Sequence, residues 1–394
     1  MGLPAHGLFE DVKLKDVTLD AMTIDCGRDP VEAALCLARA FVAGRRLCVQ
    51  APGAADHAHH VAVEFVHPVV AGTRPLAARV ADPAAASPTR RRNSSEVVLV
   101  IADAAADAAT AAGADLFIDS QQPDQAIVRS YHLLWELVQV ALEHPGVVGA
   151  GGAAGGDATG FLYPFLDAAD SDEAALRRAL QSSAAAKADE SEQLARQSLV
   201  SNQSAIAASG DAISRAAAAG RCVLTIGNGG SASDAARLAR LLRHRGVAAE
   251  PLCADYAIAT ALANDLGAER VFARQLDAFA QPGDVLVGCS TSGASRNLLA
   301  AFQQADSRGL TTIGLSGYGG GAFADHPSVH HNLVVASLSV HRIQEAQAAL
   351  MIALCERVAA APTGAGPPRA APAPAAQKAG EARTAEPAKK HAAP

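Results

Sequence analysis

An apolar strand, a glycine-bearing turn and an amphipathic helix occur twice in this chain in the same register. The first copy runs from "RRLCVQ" through "APGAAD" to a helix ending near Phe65; the second runs from "RCVLTI" through "GNGGSAS" to a helix ending near Leu242. Aligned without a gap, Leu47 falls on Leu224, Gly53 on Gly230 and Ala62 on Ala239. Self-similarity of this kind marks an internal duplication. A helical pattern precedes each copy, "DPVEAALCLARAFVAG" and "GDAISRAAAAG". A second apolar strand follows, "EVVLVIA" or "DVLVGCS", and an amphipathic helix closes each copy, over Ile127–His144 or His341–Ala359. Strands alternating with helices predict an α/β fold in which parallel sheets are covered by helices on both faces.

The 394 residues allow two domains, each with its own core. We place the first at 1–145, a Gly-rich linker at 146–170 and the second at 171–361. Residues 362–394, an Ala/Pro/Lys tail without apolar periodicity, are expected to be disordered. Half of the residues are hydrophobic but only 4% aromatic, so small side chains should separate closely spaced layers. A net charge of −7 gives no basic field for nucleic acid or an anionic membrane. The three consecutive arginines of "SPTRRRNSSE" lack neighbouring aromatics and read as a solvated loop. Seven scattered cysteines without CxxC spacing signal neither a disulfide framework nor a zinc ribbon. With no apolar run long enough to span a bilayer, the expectation is a cytoplasmic protein with no membrane or nucleic-acid partner.

In the second copy the strand is followed by Gly227, Asn228, Gly229, Gly230 and Ser231. Such a turn lets the backbone approach an anion at a helix N-terminus, although a glycine turn after a strand is often only a tight turn. The next strand ends in "CSTSGASRN", where Ser290, Thr291, Ser292 and Ser295 gather hydroxyls around Gly293 at another helix start. Hydroxyls and backbone N–H groups together suit a phosphate monoester. Both loops fall at the C-terminal ends of strands, the edge where open α/β sheets bind ligands.

The stretches "IGNGGSASDAA", "DYAIATALANDLGAERVFARQL", "PGDVLVGCSTSGASRNLLAAF", "TTIGLSGYGGG" and "RIQEAQ" resemble, in order and over most of Ser171–Ala360, the sugar isomerase (SIS) domain and within it the phosphoheptose isomerases. The resemblance implies a flavodoxin-like sheet, a phosphorylated sugar as ligand, and conversion of sedoheptulose 7-phosphate to an aldoheptose 7-phosphate through an enediol. It assigns phosphate binding to Ser290, Thr291, Ser292 and Ser295. It assigns the sugar site to the glycine loop, with Asn228 and Ser231, and to Asp255, Asn264, Asp265 and Gln344. Members of the family carry a His and, four residues later, a Glu on the helix after the glycine loop; here those places hold Arg237 and Leu241. Two histidines expected three and eight residues after Gln344 are replaced by Gln347 and Ile352. Aldose–ketose isomerisation needs a base and an acid, and the second copy has neither of the family's own.

The first copy departs in the opposite sense. Its glycine loop is "APGAAD", and its serine loop has become "ADAAADAAT", with Asp103 and Asp107 set against phosphate. Yet His60 and Glu64 stand in register with Arg237 and Leu241, at the places of the family's His and Glu. Setting Arg129 on Gln344 puts His132 at the first missing histidine and Glu136 one residue short of the second. Two readings stay open: a solvated helix pair among several histidines, or a division of labour in which the second copy binds phosphate and His60, Glu64 and His132 supply acid, base or metal ligands. Zinc is the metal such N and O donors suit, although the resemblance implies it for only some members. The family's tetramers imply that two of these chains would form a homodimer of four SIS units. A non-catalytic phosphosugar sensor is the alternative to the isomerase.

Overall fold

The computed structural model describes residues 30–68, 75–81, 95–103, 114–148 and 172–358. The tail at 362–394, most of the expected linker, the three arginines and Asp107 lie outside the described residues. The first half comprises α1 (Pro30–Val42), β1 (Arg46–Gln50), α2 (Ala55–Val66), β2 (Ala78–Val80), β3 (Glu96–Ala102), β4 (Leu116–Asp119) and α3 (Asp124–Leu142). The second comprises α4 (Glu173–Ser201), α5 (Gln203–Ala218), β5 (Val223–Gly227), α6 (Gly230–His244), β6 (Ala249–Pro251), α7 (Tyr256–Leu266), α8 (Val271–Phe279), β7 (Val285–Cys289), α9 (Arg296–Ser307), β8 (Thr311–Ser316), β9 (His331–Val334) and α10 (Val340–Arg357).

Each half builds a parallel sheet. The orders are β2-β1-β3-β4 and β6-β5-β7-β8-β9, so the four shared strands follow one plan, and the second sheet adds an edge strand. In the second sheet alternate residues go to opposite cores. Val223, Val285 and Val287 pack with α5, α6 and α10, while Leu224, Ile226 and Leu286 pack with α8 and α9. That sheet is covered by helices on both faces. In the first, Leu47, Val49, Leu99, Ile101 and Ile118 share one core with α1, α2 and α3. The opposite face carries only a small described cluster of Val100, Ala102 and Phe117.

The closing helices begin and end slightly differently from the sequence expectation, at Asp124–Leu142 and Val340–Arg357. The expected linker starts inside a helical turn, Pro145–Val148, because Val147 and Val148 bury in the first core. Asp172 then caps α4 by accepting from the Ala174 and Ala175 N–H groups at 2.9 and 3.2 Å. This helix joins the halves: Leu176 and Leu180 belong to the first core, and Leu194 and Leu199 pack on the second. No helix among the described residues is long and apolar enough to cross a membrane.

Candidate active site between the two halves

α2 and α6, the helices that follow the two glycine-bearing turns, pack against each other, as do the closing helices α3 and α10. Each pairing takes one helix from each half, which is how side chains far apart in sequence meet. α2 carries His60 and Glu64 one turn apart, so both can serve one site. With His132 of α3 they form a buried trio, 1%, 4% and 0% exposed, whose potential ligand atoms all lie within 4.8 Å of one another. His60 Nε2 is 3.5 Å from Glu64 Oε1 and 3.4 Å from His132 Nε2.

The second half meets this trio directly. Gln344 of α10 places Nε2 3.1 Å from His60 Nε2 and donates to Asp234 Oδ2 at 3.0 Å. Asp234 Oδ1 lies 3.5 Å from His60 Nδ1, and the Tyr131 hydroxyl is 3.0 Å from the same nitrogen. Gly229 takes φ of 55°, a left-handed conformation suited to glycine, as the chain turns into α6. A Cβ built on Gly230 would lie 2.8 Å from Gln344 Nε2, 2.9 Å from Glu64 Oε1 and 3.0 Å from His60 Nε2. Glycine at this position allows the second half's loop to press on the first half's trio.

Charge is arranged in the same cluster. Burial would raise the Glu64 carboxyl, but hydrogen bonds with His341 and His60 outweigh it and hold the group well below the usual carboxylate range. Burial would likewise lower His341, yet its bonds with Glu136 and Glu64 carry it up to about 9. His132 falls to about 4, through burial first and the neighbouring His341 second. At neutral pH His341 is therefore an imidazolium and His132 is neutral. His132 Nδ1 lies 3.2 Å from Glu345 Oε1; donating there leaves Nε2 free to accept. Burial opposes ionisation of Glu345 too, but Arg342 and His132 pull it down to about 2.

The donors fit a divalent metal. They are two imidazoles and a carboxylate, and each imidazole has a partner at Nδ1, as metal-binding histidines do. Gln344 Oε1 is buried without a hydrogen-bond partner, an acceptor left over beside His60.

The hydroxyl loop lies at the end of β7. Ser290 Oγ is 3.5 Å from Ser292 Oγ and 3.4 Å from Ser295 Oγ, and it accepts from the Gly293 N–H at 3.0 Å. Ser292 is exposed, while Thr291 and Ser295 are half-buried, so the loop is open to a ligand. Asn228 of the glycine loop exchanges two side-chain hydrogen bonds with Asn297, at 3.0 and 2.8 Å, holding the two loops side by side. Gln347, which stands where the family has histidine, donates to the Ser290 carbonyl at 3.2 Å.

Not every expected residue joins this assembly. Asp255, Asn264 and Asp265 are exposed, and their hydrogen bonds stay local: Asp255 caps α7 through the Ile258 N–H, and Asn264 donates to Asp265. Conversely, sequence reasoning passed over Asp234, Tyr131, His341 and Glu345. Asp234 lies inside the quoted glycine-loop motif, and His341 stands one helical turn before Gln344, the signals that could have found them.

Comparison with known proteins bears on the second half. Residues 188–317 match the family model of the SIS domain, so the chain contains an SIS domain in its second half. The phosphoheptose isomerase of Roseiflexus sp. (strain RS-1) is 44% identical over 142 residues, spanning 34% of this chain and 71% of that protein. That of Aquifex aeolicus (strain VF5) is 41% identical over 145 residues, with 35% and 75% covered. The chain belongs to the phosphoheptose isomerase family. A solved structure, the C-terminal domain of glucosamine-fructose-6-phosphate aminotransferase from Francisella tularensis, superposes with a TM-score of 0.50 over 84% of this chain and 90% of its own. At 11% identity that likeness is one of fold.

Proposed function

We propose that this protein is a sugar-phosphate aldose–ketose isomerase of the phosphoheptose type, with one composite site per chain. The observation that carries the reading is the meeting of His60 and Glu64 from the first half with Gly230 and Gln344 from the second. Ser290, Thr291, Ser292 and Ser295 hold the phosphate, with hydroxyl and backbone N–H donors. Asn228 and Ser231 face the sugar, and Asp255, Asn264 and Asp265 extend the sugar site from α7. Glu64, ionised, takes the proton from the carbon next to the carbonyl and returns it to the former carbonyl carbon, so an enediol intervenes. His60, with His132 behind it, exchanges protons with the two sugar oxygens as they alternate between carbonyl and hydroxyl. Alternatively, His60, Glu64, His132 and Gln344 would hold a zinc ion, which when bound would polarise those oxygens in place of the proton exchange at His60. The test is turnover of sedoheptulose 7-phosphate and related ketose phosphates, with and without added zinc.

A second reading, a phosphosugar-sensing protein without turnover, is favoured by the burial of the trio beside an open hydroxyl loop. Binding of a sugar phosphate with no turnover across the panel would establish it. For the assembly we propose a homodimer in the cytoplasm. The supporting feature is α7, which has no buried residue and exposes Tyr256 at 82% and Leu266 at 49%. A monomer by light scattering at micromolar concentration would reject it.

A further inference from the structure

We propose that His341 is a positioning residue that fixes the Glu64 carboxylate, so that the second half of the chain sets the geometry of the base supplied by the first. The inference rests on the isomerase reading above. His341 is buried on α10, with Nε2 3.2 Å from Glu64 Oε2 and Nδ1 3.0 Å from Glu136 Oε1. An imidazole donating at both nitrogens is a strut between the two carboxylates, and its far end is itself held. Glu136 accepts from Arg342 Nη2 at 3.0 and 3.1 Å and pairs with Lys187 Nζ at 3.1 Å. The ring is stacked on His132 at 4.4 Å and 17°, and Trp135 meets it edge-on at 4.9 Å. With Oε2 tied to His341, Glu64 turns Oε1 towards His60 and Gly230.

The duplication supplies an independent argument. Strut and base occur together or not at all. Setting Arg129 on Gln344 puts Ala126 opposite His341, and Leu241 stands opposite Glu64. The two counterpart positions thus hold neither a carboxylate nor an imidazole. Neither role was carried by any of the phosphate-loop motifs, so the pairing is a separate feature of the seam.

Two substitutions separate donation from packing. His341→Phe keeps a ring to stack on His132 but donates nothing; His341→Gln loses the ring but keeps an N–H donor. If His341 positions Glu64, the Phe variant loses about 10–100-fold in kcat, the scale of a base displaced by a fraction of an ångström to one ångström. KM for the sugar phosphate stays within about twofold, because the hydroxyl loop is untouched, and the Gln variant recovers most of kcat. A ring needed only for packing gives the opposite order, Phe active and Gln impaired, and overturns the inference. So does a loss confined to KM. Should the Phe variant fail to fold, His341→Leu carries the same comparison with Gln. A wild type inactive on every phosphosugar sinks the isomerase reading and this inference with it, whereas an active wild type with an unimpaired Phe variant sinks this inference alone.

Discussion

The helices α2 and α6 make two corners where they pack, and the corners have opposite contents. In one, His60 and Glu64 of the first half press on the glycine loop of the second. In the other, the residues standing in their register are Arg237 and Leu241, and the neighbouring side chains form ion pairs. Arg237 pairs with Asp234 at 2.8 Å and with Asp124 at 3.3 Å. Arg240 makes a bidentate pair with Asp56, both bonds 2.9 Å, and reaches Asp124 at 3.0 Å. His57 sits 3.3 Å from Asp124. Burial works against the charge on Arg237, but the carboxylates of Asp234 and Asp124 outweigh it and raise the group above its ordinary range. These ion pairs join α6 of the second half to α2 and α3 of the first, so this corner clamps the halves together. Because Asp234 bonds both Arg237 and Gln344, the clamp and the proposed site share a residue.

The largest expected effect breaks the reactive corner alone. Glu64→Gln keeps the shape and removes the base, so turnover should fall by roughly 10²–10⁴-fold while sugar-phosphate affinity hardly changes. Steady-state kinetics with calorimetry checks both. An active wild type that loses nothing on this change would place the base elsewhere.

The next breaks the clamp. Arg237→Leu puts an apolar side chain in its place, but it leaves the buried Asp234 without its cation and takes one of two arginines from Asp124. Removing one member of a buried pair costs about 3–5 kcal/mol, measurable as a lower urea midpoint. The corresponding loss should be absent for Arg296→Leu, whose pair with Glu269 is exposed. Equal midpoints for the two variants would mean that the clamp contributes nothing.

Acidity tests the reactive corner, because its titrating groups push in known directions. His341, raised to about 9, contributes stability that is complete below its ordinary value near 6.5 and is lost as pH rises through 9. His132, lowered to about 4, does the reverse: between 6.5 and 4 the unfolded chain takes up a proton that the folded chain refuses, so stability falls as pH falls. Glu345, lowered to about 2, adds stability above its ordinary carboxylate value that disappears as pH drops towards 2. Denaturation across pH should therefore show a maximum near 6.5. His341→Phe should flatten the alkaline limb and change the acid limb as well, because the His341 charge helps to lower both His132 and Glu64.

How much of this could be read from the sequence divides along the same seam. The strand–turn–helix pattern is local, so both sheets, the hydroxyl loop and the register that singled out His60 and Glu64 were legible. The bond between Gln347 and the hydroxyl loop and the strut at His341 were not, because each depends on what α10 packs against, whereas the pair of Asp234 with Arg237 lies three residues apart on α6, a spacing the sequence does show. No periodicity within α10 tells His341 from an ordinary buried residue; only the carboxylates of α2 and α3 do. Asp255, Asn264 and Asp265 mark the other limit: a motif match assigns them a ligand, while their exposure on α7 leaves that assignment for experiment.

A smaller effect concerns phosphate. Ser292→Ala combined with Ser295→Ala removes two donors at the open end of the hydroxyl loop, each worth on the order of 1.5–3 kcal/mol to a charged ligand. Binding of a sugar phosphate should weaken at least about tenfold, and binding of the unphosphorylated sugar should be as poor as before. Calorimetry giving the same affinity for both ligands in the wild type would remove phosphate from the account of this loop.

The smallest effect compares the two glycine turns at one aligned position. Gly53 has φ of 73° with nothing within 4 Å of a built Cβ, so Gly53→Ala strains the backbone without touching a neighbour. The cost should be about 1–2 kcal/mol of stability, the left-handed penalty for a residue with a Cβ, with turnover unchanged. Gly230 has no such conformational demand, but its Cβ would meet Gln344, Glu64 and His60 at 3.0 Å or less. Gly230→Ala should therefore spare stability comparatively and lower turnover by about tenfold or less, since flexible side-chain ends can yield by a few tenths of an ångström. Melting curves and kinetics on the two variants should move in crossed directions, stability for one and rate for the other. If Gly230→Ala left the rate intact, the approach of the second half's loop to His60 and Glu64 would have no part in catalysis, and the composite site would lose the contact on which it is built.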